Sequence, residues 1–365
     1  MNDMNNMNDP QKIGQGTYGC VYYPSITCNS TDKIKDNINY ITKVQDSNHP
    51  AMKNEEKIGK IIQEKIKNYE NYFAPIHDVC QVDLTGLDEK NECKIIQEKE
   101  NVMSYRIKYL GKNTIETQFK IWHKQLNERD YFLRVIDLII YVLYSLNKLL
   151  IESNIIHNDT KCDNILFYRK NQSPIIIDFG LSIFIPELNK KEEFRNYNKA
   201  IFWLYGFEYM LLNKINTYPT DEIEVVILMD YLNEFIEIND FNYFVKFIIP
   251  EIKNGYTNQI KSWTKGQERI SRKELFNIIL DSTKGTWDLY SFMTSLIENI
   301  NNILLKNEKH KETIQEITEF CLETIIEISN GSTNILSTIE KFNNLLKKKA
   351  EIEIESRFSK KSKSL

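Results

Sequence analysis

The chain has 365 residues, 41% of them hydrophobic and 12% aromatic, which is enough apolar mass for two domains or lobes and too much for a disordered chain. A net charge of −4 leaves no basic footprint for nucleic acid over the chain as a whole. Six cysteines (Cys20, Cys28, Cys80, Cys93, Cys162, Cys321) without a CxxC pair predict reduced thiols rather than a disulfide framework or a zinc site. The opening MNDMNNMNDP has neither the basic nor the apolar part of a signal peptide, and no apolar run reaches membrane-spanning length, so the expectation is a soluble, cytoplasmic protein.

Residues 1–10 are polar and predicted to be loose. IGQGTYGCVYYP follows, with Gly14, Gly16 and Gly19 in a GxGxxG spacing and Ile13 and Val21 on flanking strands. Glycines at this spacing let backbone N–H groups approach phosphates. Rossmann domains share the spacing, but there a helix follows the third glycine; here a strand and Pro24 follow, which favours a hairpin lid over nucleotide phosphates. The next predicted strand, Tyr40 to Val44, carries Lys43, and NEEKIGKIIQEKI after it has Ile58, Ile62 and Ile66 on one helical stripe with Glu55 on the same face. A strand lysine facing a helix glutamate can form an ion pair that aims the lysine at phosphate; Glu56 competes with Glu55 for this place, and two solvated surface charges are the simpler alternative.

From Tyr72 to Leu110 the pattern predicts further strands with a turn at NECK, and MSYRIKYLGKNT passes from a strand through Gly111 into a helix-like segment. From about Asp130 apolar residues recur at helical spacing, predicting a buried helix of roughly five turns. It delivers the chain to HNDTKCDN at 157–164. Ile165, Leu166 and Phe167, then the turn-rich YRKNQSP, then Ile175, Ile176 and Ile177 predict a hairpin that ends at DFG, 178–180. Asp159, Asn164 and Asp178 would then converge beside Lys161, and hard oxygen ligands next to a lysine suit a polyphosphate with its Mg²⁺. The reading is a phosphotransfer centre. Beyond it, EVVILMDYLNEFIEI, NYFVKFIIPEI and TWDLYSFMTSLIENINNILL are predicted helices, KSWTKGQERISRKE a basic turn, the chain to about Lys349 helical, and 351–365 a charged, solvated tail.

The ordered set of a glycine loop, a strand lysine, a helix glutamate, HNDTKCDN and DFG resembles the eukaryotic-type protein kinase superfamily. NYFAPIHDVC and the Asn-, Ile- and Lys-rich, AT-biased composition are most similar to serine/threonine kinases of large DNA viruses. The resemblance implies an α+β, bilobal fold: a β-rich N-lobe over 11–111 and a mostly helical C-lobe over 112–350 with an insertion at about 210–285. It implies Mg²⁺-ATP as phosphate donor, a protein Ser/Thr hydroxyl as acceptor, no membrane partner, and the cytoplasm, a host's or a virion's compartment if viral. ATP would lie under Ile13, Gly14, Gly16, Gly19 and Val21, with Lys43 on its α- and β-phosphates and Glu55 orienting Lys43. Adenine would meet backbone groups of Lys108 and Leu110 beside a gatekeeper, Ile107; Asp159 would take or orient the acceptor proton, Lys161 neutralise the γ-phosphate, and Asn164 and Asp178 hold Mg²⁺.

His157 and Phe179 would be internal packing residues, Asp288 of WDLYSF the anchor of the catalytic loop, and Glu208 of YGFE a structural acid with Arg269, Arg272 and Arg357 as its only downstream arginines. Asn158 stands where the family has the arginine of HRD, and between Gly180 and Glu208 there is one serine, Ser182, and no threonine, which implies activity without activation-loop phosphorylation. Choline and aminoglycoside phosphotransferases also use HND and an Asp-Phe pair; Lys161, Gly180 and the glycine loop favour the protein kinases. A pseudokinase or scaffold is a further alternative, countered by the presence of every phosphate- and metal-handling residue.

Overall fold

The computed structural model describes residues 10–15, 19–27, 37–47, 50–82, 93, 102–188, 204–240 and 245–362, without side chains at 80, 238–240 and 350–362. The first third builds a five-stranded antiparallel sheet from β1 (Gln11–Gln15), β2 (Gly19–Tyr23), β3 (Tyr40–Asp46), β4 (Ile76–Cys80) and β5 (Val102–Lys108), in the order β1-β2-β3-β5-β4. Helix α1 (Pro50–Lys65) buries Met52, Glu55, Ile58, Gly59 and Ile62 against it and the core below. The glycine-loop tip, Gly16 included, and Cys28 lie outside the described residues.

The remainder is mostly helical. Thr114 caps α2 (Ile115–Gln125) and Asn127 caps α3 (Glu128–Ser153), each through a side-chain oxygen that accepts a backbone N–H three residues on. At 26 residues α3 is longer than the roughly five turns expected, because it starts at the Asn127 cap and runs past Leu150 to Ser153, ending where Asn154 adopts the left-handed conformation (φ 56°). The chain then forms β6 (Ile155–Ile156), the predicted hairpin β7 (Ile165–Tyr168) and β8 (Ser173–Ile176), and β9 (Ile183–Phe184), which pairs with β6.

Helix α4 (Phe207–Thr217), strand β10 (Glu222–Glu224), helices α5 (Val225–Asp240) and α6 (Ile249–Trp263), strand β11 (Arg269–Ser271) and helix α7 (Arg272–Thr283) follow. The segment read as a basic turn thus contains β11, which pairs with β10, because Ile223 and Ile270 sit opposite one another and both are buried. Helices α8 (Trp287–Leu304), α9 (Lys311–Ser329) and α10 (Ile335–Ser362) complete the chain, and α10 runs through most of the stretch read as a tail. None of the described helices is long and apolar enough to cross a membrane.

The expectation of reduced cysteines fails at one pair. Cys20 of β2 and Cys93 form a disulfide, since folding brings their Cα atoms to 6.2 Å, within reach of a bridge, across a separation of 73 residues that no local spacing advertises. Both sit in a small apolar cluster with Tyr22, Ile26 and Val44. Cys162 and Cys321 are free and buried.

Residues 218–283 are built into the main core rather than appended to it: Leu228, Leu232, Phe235, Ile252, Ile260 and Leu275 belong to the same cluster as α3 and α8. This packing also explains Glu208. Of the arginines considered for it, Arg269 bonds Glu224 and Arg272 bonds the carbonyls of Asn216 and Tyr218, while the side chain of Arg357 lies outside those described. The Tyr256 hydroxyl of α6 donates to Glu208 Oε2 at 3.1 Å, and Glu208 Oε1 is buried without a partner.

Burial pushes the Glu208 carboxyl up to about 7, against the opposing pull of a backbone N–H and the Tyr256 hydroxyl. The folded state therefore holds this proton where the unfolded chain has released it, and the associated stability is present below the ordinary glutamate range and lost as pH rises towards and through 7. Glu208→Gln is expected to remove up to about 3 kcal/mol of that pH dependence, read as the difference in unfolding free energy between pH 5 and pH 8. An unchanged pH slope in the variant would contradict the assignment.

Candidate active site

The site begins with the register of the sheet. Lys43 lies mid-strand in β3, opposite Val21 of β2 and Tyr105 of β5, and its Nζ donates to Glu55 Oε2 at 2.9 Å and to Asp178 Oδ1 at 3.3 Å. Glu55, not Glu56, faces the lysine; Glu56 turns outward and pairs with Lys60 at 2.7 Å. Glu55 is 2% exposed, so the pair is a buried one and not two solvated surface charges. Burial disfavours the Lys43 ammonium, but Glu55 and then Asp178 outweigh it and hold the pKa above the ordinary lysine value. Burial raises Glu55, with Lys43 opposing. Burial also acts to raise Asp178, and there Lys43 prevails, so the carboxyl lies below its usual range.

Asp178 and Asn158 both take up left-handed backbone (φ 63° and 61°), conformations that cost non-glycine residues of order 1 kcal/mol or more and that collect at functional sites. The surroundings fix them. Phe179 is fully buried, edge-on to His157 (5.1 Å) and to Phe73 (6.1 Å), so both expected packing residues pack. His157 Nε2 meets the Ile177 carbonyl at 3.0 Å, and the Ile177 N–H donates to the Asn164 carbonyl at 2.9 Å, which ties the strand end carrying Asp178 to the 157–164 loop.

That loop hangs on Asp288 at the start of α8. Asp288 Oδ2 accepts the His157 N–H at 2.7 Å, and Oδ1 accepts the Asn158 N–H at 2.8 Å and the Thr160 hydroxyl at 2.9 Å. Within the loop Lys161 Nζ bonds both carboxylate oxygens of Asp159, at 3.1 and 3.0 Å. Asn164 donates its amide N–H groups to the Asp159 carbonyl (2.9 Å) and to Asp159 Oδ2 (2.7 Å), which leaves its Oδ1 as the atom able to meet a cation. Among the described residues no three His, Cys, Asp or Glu side chains are grouped to hold a metal on their own. Asp178 and Asn164 would offer one carboxylate and one amide oxygen to a Mg²⁺.

Beyond Lys43, Ile107, Leu166 and Ile177 are partly buried against Ala74, Leu110 and Ile175. With Tyr168 they form one small apolar cluster. The Tyr109 N–H is taken by the Asn39 carbonyl at 2.8 Å, while Lys108 ends β5 with its Nζ 6.0 Å over the Tyr168 ring. Ile13 and Gly14 lie in β1, and Gly19 begins β2 so close to β3 that a Cβ there would stand 2.3 Å from the Val44 carbonyl oxygen. Sequence reasoning missed Leu166, Ile177, Thr160 and Asn54. Leu166 was discoverable, since it alternates with the buried Ile165 and Phe167 on β7; Asn54 carried no signal.

No family model matches the chain. The solved structure of the Cydia pomonella granulovirus kinase, PK-1, is similar to it at 19% identity and a TM-score of 0.30, over 48% of this chain and 51% of that one. The chain thus spans about half the length of that protein.

Asp288→Ala is expected to strip two buried backbone N–H groups of their acceptor, at about 1–3 kcal/mol each. Denaturant unfolding should show a loss of that order, and amide exchange should accelerate at His157 and Asn158 above all. Unchanged exchange at those two amides would contradict the anchoring role.

Proposed function

We propose that the protein is a kinase that transfers the γ-phosphate of ATP to a serine or threonine hydroxyl of a protein, with Mg²⁺ as the metal. The observation that carries this reading is one ammonium, Lys43, shared between Glu55 and Asp178, with Asp178 following a strand end that is hydrogen-bonded to the loop holding Asp159, Lys161 and Asn164. In this reading Lys43 binds the α- and β-phosphates and Glu55 keeps it extended. Asp178 and Asn164 would hold Mg²⁺, which when bound supplies neutralising charge to the phosphate oxygens.

Asp159 lies on the acceptor side, where its carboxylate orients the hydroxyl and takes its proton as the oxygen–phosphorus bond forms and the bond to the leaving ADP oxygen breaks. Lys161, already on Asp159, places positive charge where the transferred group passes. The chain contributes mostly positioning and electrostatics, which suits the loose transition state of phosphoryl transfer. The sheet with α1 and the helical remainder would be the two lobes, and the partly buried Ile107, Leu166 and Ile177 would offer apolar contacts to adenine.

Asp178→Asn is expected to lower Mg²⁺-dependent ATP turnover by about a hundredfold or more while leaving the unfolding midpoint near that of the parent; full activity in this variant would refute the metal assignment. Incubation with labelled ATP and, separately, a generic basic protein, choline and aminoglycosides tests the acceptor. Label is expected on protein Ser/Thr. Label on the small molecules alone would replace the reading with a small-molecule kinase, and an absence of ATP binding would favour a scaffold.

A further inference from the structure

Helix α1 does more than present Glu55. Its stripe of Ala51, Asn54 and Lys57, spaced by three, faces the segment that follows Asp178. A Cβ on Gly180 would lie 3.6 Å from Ala51 Cβ, so helix and turn are in van der Waals contact. Asn54 Nδ2 donates to the Gly180 carbonyl at 3.1 Å and to the Ser182 carbonyl at 2.7 Å, engaging both hydrogens of one amide with the same turn. One helical turn on, Lys57 bonds Glu187 and lies 5.7 Å over the Phe184 ring.

From the other side Asn158 Nδ2 donates to the Leu181 carbonyl at 3.3 Å, and the Ser182 hydroxyl to the His157 carbonyl at 3.1 Å. Three consecutive carbonyls, Gly180, Leu181 and Ser182, are thus held by two neutral amides, one from α1 and one from the 157–164 loop. The result is a closed ring: Lys43 to Glu55, along α1 to Asn54, across to Gly180, back through the turn to Asp178, and from Asp178 to Lys43.

Resting on the kinase reading above, we propose that Asn54 is a positioning residue: it clamps the Asp178 turn to α1, so that Lys43, Glu55 and Asp178 keep their registry with no phosphorylated residue in the segment. Asn54 touches none of the three charged groups through the bonds just described. It acts through the backbone, and the effect of its loss is on where Asp178 sits rather than on whether nucleotide is bound. Asn158 completes the clamp from the 157–164 loop through the Leu181 carbonyl.

The test compares the full-length parent with Asn54→Leu, which keeps the approximate shape without the donor, and with Asn54→Gln, which keeps the donor. Lys60→Ala on the exposed face of α1 serves as the helix control. For Asn54→Leu the loss of two hydrogen bonds predicts a fall in kcat of about tenfold to thirtyfold, with KM for ATP moving less than about threefold. Hydrogen exchange at residues 180–183 is expected to accelerate at least about tenfold, and Asn54→Gln to recover part of both losses. Lys60→Ala should match the parent in each readout.

Equal kcat in the parent and Asn54→Leu, or a loss of kcat with unaltered exchange at 180–183, overturns the proposal while the kinase reading stands. A parent protein without Mg²⁺-ATP turnover overturns the kinase reading and this inference with it. Treating the parent with a phosphatase beforehand should leave its kcat unchanged; a large drop would show that a phosphate, and not the amide clamp, holds the turn.

Discussion

The structure depends on a lysine ammonium held out of bulk water between two carboxylates. Lys43 and Glu55 are too buried to be stable alone, and breaking such a pair by removing one partner typically costs about 3–5 kcal/mol. The pair therefore constrains its surroundings: β3 must run so that Lys43 points at α1, α1 must pack with Glu55 inward, and Asp178 must reach the same ammonium. Two carboxylates against one ammonium leave an excess of negative charge, and Asp178 remains about half exposed. That imbalance at an open edge is what a metal-bound polyphosphate would resolve, with cation against Asp178 and phosphate oxygens against Lys43.

A second constraint acts from below. Asp288 collects the backbone N–H groups of His157 and Asn158 and the hydroxyl of Thr160. Asn158 is held left-handed there, and Asp178 is left-handed across the site, so the two polar clusters meet in backbone conformations that the free chain would seldom adopt. The core supplies the support. Helix α8, which carries Asp288, is buried along most of its length and packs along α9, and α6 of the 218–283 region both packs on α9 and provides Tyr256 to Glu208.

Much of this was legible in the sequence because it follows short-range rules. The 157–180 hairpin has turn residues between two apolar triplets, and the β3 lysine and α1 glutamate follow from strand alternation and helical stripe; even the choice of Glu55 over Glu56 is a matter of helical phase, though only the packed helix settled it. What was not legible depends on contacts between distant segments. The Cys20–Cys93 bridge, the Tyr256–Glu208 bond and the Asn54 clamp join residues 73, 48 and 126 or more positions apart. Nothing about a lone Asn, Tyr or Cys in its local window indicates such a partner. Strand β11 was hidden for a related reason: with three residues it is shorter than any periodicity can register, and only burial of Ile270 against β10 makes it a strand.

Lys43, Glu55 and Asp178 form, with Asp159 and Asn164, the site we propose for a metal-bound nucleotide. Calorimetric titration of the protein with a non-hydrolysable ATP analogue, run with and without Mg²⁺, tests it most directly. A single site per chain is expected, with an affinity that rises when Mg²⁺ is present. Absence of binding, or binding indifferent to Mg²⁺, would contradict it.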